Sequence, residues 1–118
     1  MSENISNYAT AFLGQIVKIK IDRPLGSKHP KHDMTYEVNY GFVPNTKAPD
    51  GEDIDAYVLR VDKPLDEFTG KCVAIIHRLD DNDDKLVVVP KDSENMSDEK
   101  ILTLVDFQEK WFKSKIIR

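Results

Sequence analysis

The strongest constraint on the fold is a series of short runs rich in β-branched and aromatic residues, each bounded by turn-forming residues. Within residues 15–22, the apolar Val17, Ile19 and Ile21 alternate with their neighbours, and this period of two predicts a strand with one solvated face. Further runs predict extended segments at residues 35–43, 54–61, 70–79 and 85–90, the last two forming a hairpin. The chain is therefore predicted to consist mainly of strands.

One helix is predicted after these strands. Ser97 is a suitable N-cap, since acidic residues follow it in the first turn, and the helix is expected to extend to about Lys115. An apolar stripe at helical spacing, with Trp111 in the core, is expected to cover the sheet: Ile101, Leu104, Val105, Trp111 and Phe112. This pattern favours a mainly β (α+β) fold, a small OB-like five-stranded β-barrel with a C-terminal helix packed on it.

Length and composition narrow the class of protein. A chain of 118 residues, 40% hydrophobic, has the size of one domain, so residues 1–118 are predicted to form a single domain. Cys72 is the single cysteine, which excludes an intrachain disulfide and indicates a packing residue. A net charge of −4 does not favour a nucleic-acid partner, and no apolar run suits a membrane span or secretory signal. We therefore expect a cytoplasmic protein with neither a nucleic-acid nor a membrane partner.

Charge is unevenly distributed along the chain. Residues 22–32 are basic, whereas residues 50–55 and 80–84 are acidic, which suggests a site that holds an anion together with a cation. His29 and His32 in the basic segment leave open a role as metal ligands, although their spacing in a loop is weak evidence. His77, within an apolar run, is predicted to be a hydrogen-bonded sheet residue.

The first acidic run offers candidate metal ligands. Asp50, Glu52 and Asp55 converge if the chain bends between them, and carboxylate oxygens are the ligands that Mg²⁺ prefers. A solvated turn is the alternative. The run directly precedes an apolar strand rather than a flexible tail, which favours a site.

The order of several motifs indicates a family. YEVNYGFVPNT, APDGEDIDAYVL, DDKLVVVP and FQEKWFK follow one another between residues 36 and 113. Together they resemble the soluble family I inorganic pyrophosphatases. The family pattern at the second motif is Asp, small, Asp, Pro or Glu, apolar, Asp, apolar, and here the motif stands as Asp50-Gly51-Glu52-Asp53-Ile54-Asp55-Ala56. The resemblance implies hydrolysis of pyrophosphate with Mg²⁺, Mn²⁺ or another divalent cation, and a homo-oligomer.

The same resemblance implies roles for particular residues. The implied metal ligands are Asp50, Glu52, Asp55, Asp80, Asp83 and Asp84, with the choice between Asp80 and Asp81 and between Asp83 and Asp84 left open. Glu52 stands where the family has its water-activating Asp, so Glu52, Asp55 and Tyr40 are the expected catalytic residues. The expected substrate-binding residues are Arg23, Lys28, Tyr36, Lys85 and Lys113.

The chain also departs from the family pattern. Glu52 replaces Asp, and Phe112 replaces a Tyr whose hydroxyl helps to hold phosphate. An early Lys-x-Glu has no clear match, and Lys28 lies only near the place of a phosphate-binding Arg. These departures leave a second hypothesis, a catalytically weakened relative that binds phosphate or a nucleotide.

Overall fold

The computed structural model describes residues 8–49, 51–79 and 83–118. Within these residues it contains six strands, one α-helix and a 3-10 turn at Thr10–Phe12. The elements are β1 (Ile16–Arg23), β2 (Asn39–Val43), β3 (Ile54–Val58), β4 (Glu67–Arg78), β5 (Asp84–Val89), α1 (Asp98–Glu109) and β6 (Ser114–Ile117). None of the described helical residues form a helix long and apolar enough to cross a membrane.

Five of the strands close into a barrel. β1, β2 and β3 pair in antiparallel succession, β3 pairs with β5 in parallel, and β5 pairs with β4 in an antiparallel hairpin. The first half of β4 returns to β1 and closes the ring. The predicted five-stranded barrel with a helix packed on it is confirmed.

The alternation in β1 has the expected result, because Val17, Ile19 and Ile21 are buried. In contrast, β5 is buried on both faces, as its continuous apolar run indicates. Leu86 and Val88 belong to one apolar cluster, whereas Val87 and Val89 belong to a second one that includes Ile101 and Val105 of α1. The sheet therefore separates two cores, and the helix covers one of them.

Gly41 lies where β2 crosses closest to β1. A Cβ atom at this position would be 2.0 Å from the carbonyl oxygen of Lys20, closer than any side chain tolerates. β1 and β2 can approach this closely because residue 41 has no side chain.

The end of the helix was wrongly predicted. Ser97 is the N-cap, its Oγ accepting from the amide of Lys100 at 3.1 Å, but α1 ends at Glu109 instead of near Lys115. Residues 114–117 form β6, which pairs with the second half of β4 beyond β1. Trp111 is 67% exposed, so its assignment to the core was also wrong. Pairing with a distant strand edge overrides the local helical period here.

Two smaller predictions are confirmed. Cys72 is fully buried, and burial raises the pKa of its thiol to about 11. His77 in β4 is hydrogen-bonded, its Nδ1 lying 2.6 Å from Asp84 Oδ1 on the neighbouring strand.

Candidate active site

A cleft of about 910 Å³ opens beside the second core, between the barrel, the loop after β1 and the end of α1. The loop contributes part of its wall through residues 29–34 and Tyr36, and the end of β1 contributes residues 22–23. The other strands contribute Tyr40, Asp55, Arg78 and Lys85, and the helix side contributes Gln108, Trp111 and Phe112. Acidic, basic and aromatic side chains thus face one space.

The centre of the cleft is a lysine held between two carboxylates. Asp55 in β3 and Lys85 in β5 are direct partners in the parallel pairing, which places their side chains on the same face of the sheet. Lys85 Nζ lies 2.7 Å from Asp55 Oδ2 and 2.7 Å from Asp83 Oδ2. The acidic residues of two separate segments therefore meet at one cation.

Lys85 keeps its charge in spite of burial. Its side chain is only 4% exposed, and desolvation alone would lower the pKa of the ammonium group. The carboxylates of Asp55 and Asp83 oppose this effect and raise the pKa above its ordinary value, although nearby Arg78 acts against them. The cleft therefore carries a fixed positive charge at its base.

Two tyrosines form an aromatic wall beside this lysine. The Tyr36 and Tyr40 rings stack with centroids 5.6 Å apart, and Tyr40 packs edge-on against Tyr57 at 4.8 Å. Burial, followed by the charge of Asp55 and a hydrogen bond to it, raises the pKa of Tyr40 well above its ordinary value. The Tyr40 hydroxyl is consequently a neutral hydrogen-bond donor that lies at the carboxylate cluster.

A second ion pair lies deeper at the helix side. Arg78 Nε donates to Glu109 Oε1 at 3.0 Å, and Nη2 donates to Oε2 at 2.8 Å. The Tyr57 hydroxyl donates to the same Oε2 at 2.6 Å and accepts from Gln108 Nε2 at 2.7 Å. Burial opposes ionisation of Glu109, but the hydrogen bonds from Arg78 and Tyr57 lower its pKa below the ordinary value.

This ion pair was not predicted from the sequence, although a signal for it exists. Glu109 follows Ile101 and Val105 at intervals of four, so it lies on the apolar face of the helix. Arg78 likewise ends an apolar strand run. A charged residue on a buried face needs an ionic partner, and each of the two is the partner of the other.

The loop after β1 is shaped by its histidines. His29 Nδ1 accepts hydrogen bonds from the amides of Lys31 at 3.0 Å and His32 at 3.2 Å, which leaves the ring proton on Nε2. Desolvation, followed by the nearby charges of His32 and Arg23, lowers the pKa of His29. His29 therefore acts in the neutral form as the acceptor that closes this turn.

The predicted site residues fall into three groups. Arg23, Tyr36, Tyr40, Asp55 and Lys85 line the cleft, and Asp83 contacts Lys85 and Arg78 there. Glu52, Lys28, Lys113 and Asp84 do not line it: the first three are exposed, and Asp84 is buried beside His77. The positions of Asp50, Asp80 and Asp81 lie outside the described residues.

The reason for these placements is the local backbone. Adjacent residues of a strand point to opposite faces, so Asp84 and Lys85 cannot both reach the cleft. Lys28 lies in an isolated bridge with Thr35 on the outside of the loop. Asp22, by contrast, lines the cleft although the sequence analysis gave it no role, and burial raises the pKa of its carboxyl against the effect of Arg23.

The carboxylates of the cleft suit a divalent cation in part. Asp55 and Asp83 each place an oxygen 2.7 Å from the same Lys85 nitrogen, so two hard ligands already converge on one positive charge. Among residues 8–49, 51–79 and 83–118, no three His, Cys, Asp or Glu side chains are grouped closely enough to hold a metal ion. A third ligand from the described residues is therefore not in place beside Asp55 and Asp83.

A closed barrel whose cleft combines carboxylates, fixed cations and tyrosines suits a small, highly charged anion. Comparison with known proteins specifies the family. The inorganic pyrophosphatase family profile matches residues 11–116, and the chain belongs to this family. The resemblance seen in the motifs is thereby confirmed.

Individual relatives agree with this assignment. The chain is 40% identical over 63 residues to inorganic pyrophosphatase 1 of Pseudomonas syringae, covering 50% of this chain and 36% of the relative. It is 32% identical over 103 residues to the inorganic pyrophosphatase of Sulfolobus acidocaldarius, covering 84% and 56%. A crystal structure of inorganic pyrophosphatase from Ehrlichia chaffeensis superposes with a TM-score of 0.69 at 19% identity, over 89% of this chain and 86% of that one.

The structural likeness at this identity supports the fold. The chain spans about half the length of the curated relatives it matches, from 36% to 59%.

Proposed function

We propose that this protein hydrolyses inorganic pyrophosphate to two orthophosphates with the aid of a divalent cation. The observation that supports the proposal best is the convergence of Asp55 and Asp83 on Lys85, in a cleft lined by Tyr36 and Tyr40. These residues come from three of the motifs that carry the family resemblance. Their meeting in space is what an anion held together with a cation requires.

The proposed metal ligands are Asp55 and Asp83, completed by Asp50 and Asp80 or Asp81 from outside the described residues. Mg²⁺ is the proposed ion, with Mn²⁺ as the alternative. When bound, such an ion supplies Lewis acidity and lowers the pKa of a bound water below its ordinary value. Two aligned carboxylates are a fitting but incomplete ligand set.

The protein's own side chains would then bind and orient the substrate. Lys85, whose pKa is raised, stays protonated at neutral pH and neutralises a phosphate oxygen, as does Arg23 at the rim. The Tyr40 hydroxyl donates to Asp55 and orients that carboxylate. Glu52 stays the proposed residue that orients water or takes its proton. Charges fixed on strands lower the cost of reorganisation when negative charge moves to the leaving phosphate.

Further roles that the family resemblance implies are also proposals. We propose Lys28 and Lys113 as outer phosphate contacts, and we propose Asp83 rather than Asp84 as the metal ligand, because Asp84 is buried beside His77. We also propose a single catalytic domain that acts in the cytoplasm as a homo-oligomer, with no nucleic-acid or membrane partner. The net charge of −4 supports the absence of a nucleic-acid partner.

The test is release of orthophosphate from pyrophosphate by the purified protein, with Mg²⁺, with Mn²⁺ and with excess EDTA. Release that needs the divalent ion and exceeds that of an Asp55→Ala control supports the proposal. The absence of ion-dependent release above this control contradicts it.

A second candidate is a weakened relative that binds phosphate or a nucleotide without turnover. It is favoured by Glu52 lying outside the lining of the cleft, and by Phe112 lining the cleft where the family has a hydroxyl. Binding of inorganic phosphate without release from pyrophosphate would select this second function.

A further inference from the structure

A buried arginine in the cleft lies outside the motifs on which the proposed function rests. Arg78 at the end of β4 lines the cleft although its side chain is only 8% exposed. Glu109 accepts from two of its nitrogens, from Tyr57 and from Ser114 Oγ at 3.1 Å. Because four donors surround the carboxylate, the plane of the guanidinium is fixed before any ligand arrives.

The third nitrogen of this group is directed to the centre of the site. Arg78 Nη1 lies 3.4 Å from Asp83 Oδ2, a longer contact than the two with Glu109. The same Asp83 oxygen is 2.7 Å from Lys85 Nζ. Two cations from neighbouring strands therefore lie beside one carboxylate oxygen in the cleft, and a pair of cations so placed also suits an anion with several negative oxygens.

The ring of Phe112 limits how a ligand in the cleft can approach Arg78. The Phe112 ring lies with its centroid 3.7 Å from Arg78 Cζ, so it covers a face of the guanidinium. With a face covered by Phe112 and one edge bound to Glu109, a ligand in the cleft meets the edge that carries Nη1. Where the family resemblance implies a hydroxyl that holds phosphate, this chain presents an arginine beside a phenylalanine.

We propose that Arg78 binds a phosphate oxygen of the substrate and that Glu109 is its positioning residue. The inference rests on the proposed function, since the substrate is a phosphoric anhydride. Arginine suits this role because its planar fork matches the geometry of phosphate and stays charged at every working pH. Arg78 also supplies a hydrogen-bond donor and a positive charge in a chain where the family's early phosphate-binding residues have no clear match.

The experiment measures phosphate binding directly. Trp111 lines the cleft and is the single tryptophan of the chain, so its fluorescence reports titrations with inorganic phosphate in Mg²⁺ and in EDTA. The informative variant is R78M/E109Q, which removes both charges together and keeps an amide oxygen for Tyr57. The matched control is R118M/D98N, which removes an exposed ion pair, outside the lining of the cleft, with a 2.9 Å contact.

The Kd for phosphate is expected to rise about tenfold or more in R78M/E109Q, since a charge-assisted hydrogen bond is lost, and to stay unchanged in the control. The variant R78K is expected to lie between them, because lysine cannot bind Glu109 at two points and phosphate as well. A loss of phosphate affinity at an unchanged melting temperature separates ligand binding from a purely structural role. An unchanged Kd in R78M/E109Q overturns the proposal.

Two further measurements complete the test. E109Q alone keeps Arg78 but loosens its orientation, so the phosphate Kd should rise severalfold, and an unchanged value overturns the positioning role. Should R78M/E109Q fail to fold, NMR of the unsubstituted protein replaces it. Phosphate should then shift the Nε–H resonance of Arg78, and a resonance that does not move at saturation overturns the inference.

If the proposed hydrolysis is wrong, the measurements differ from those that would overturn the role of Arg78. The unsubstituted protein would then release no orthophosphate from pyrophosphate, while its phosphate binding would still depend on Arg78. That combination supports the inference and rejects hydrolysis.

Discussion

Replacing Asp55 with asparagine separates a role in chemistry from a role in folding. Asparagine has the same shape and keeps an oxygen acceptor for the Tyr40 hydroxyl, but it removes the negative charge. Asp55 contacts Lys85 at 2.7 Å, yet its side chain is 38% exposed and Lys85 retains Asp83 at the same distance. Because solvent screens the exposed Asp55 carboxylate, removing its charge should lower the free energy of unfolding by about 1 kcal/mol, or the melting temperature by about 4 °C.

The effect on turnover should be much larger. A ligand of the divalent cation contributes several kcal/mol to the stability of the transition state, so we expect D55N to lower kcat/KM about 100-fold or more. The assay is orthophosphate release in saturating Mg²⁺, with the melting curve of each variant recorded beside it.

The same acidic run contains a matched control. Asp53 lies two residues earlier, accepts from the Thr46 amide at 3.1 Å and does not line the cleft. D53N keeps an oxygen for that hydrogen bond and should change the rate by about twofold at most. Equal activity of D55N and D53N would refute the reasoning, as would a fall in melting temperature several times the expected one.

Three further predictions concern stability. Tyr57→Phe removes the 2.6 Å hydrogen bond to Glu109 and should cost about 2 kcal/mol in urea unfolding; an unchanged midpoint would contradict the buried network. Although burial acts against it, hydrogen bonds from Arg78 lower the folded-state pKa of Glu109, so its stabilisation is present above the ordinary pKa and is lost as pH falls through the lowered one. In E109Q, the free energy of unfolding should therefore fall less steeply as the pH is lowered. An equally steep fall would show that another group controls the acid dependence. Gly41→Ala would place a Cβ atom 2.0 Å from the Lys20 carbonyl oxygen, so it should lower the free energy of unfolding in urea by about 3 kcal/mol or more. An unchanged urea midpoint would mean that β1 and β2 can move apart at little energetic cost.

The strands were predictable because their signal is local. The period of two in β1 and the hairpin of β4 and β5 depend on near neighbours in the chain. β6 was not predictable in this way, since Ser114–Ile117 is a strand only because the second half of β4 offers it an edge. The exposed position of Trp111 follows from the same cause, because the chain has left the helix before that residue.

Site residues show the same division between local and distant causes. The motif residues Tyr40, Asp55 and Lys85 line one cleft, but their meeting depends on the parallel register of β3 and β5, which no local pattern encodes. Arg78 and Glu109 were missed because each looks like an isolated charge until the fold brings them together.

The placement of the cations bears on the proposed binding of a polyanion. Lys85 and Arg78 are both anchored in strands of the barrel and both are almost fully buried, whereas Arg23 stands at the edge of the loop. A charge that is rigid before binding loses little conformational entropy when phosphate arrives, and it acts in a low-dielectric setting where its interaction with a developing negative charge is strong. In a chain that spans about half the length of its relatives, we therefore expect charges built into the sheet to support phosphate binding, with Arg78 balanced by the buried Glu109 and Lys85 by the partly exposed Asp55 and Asp83.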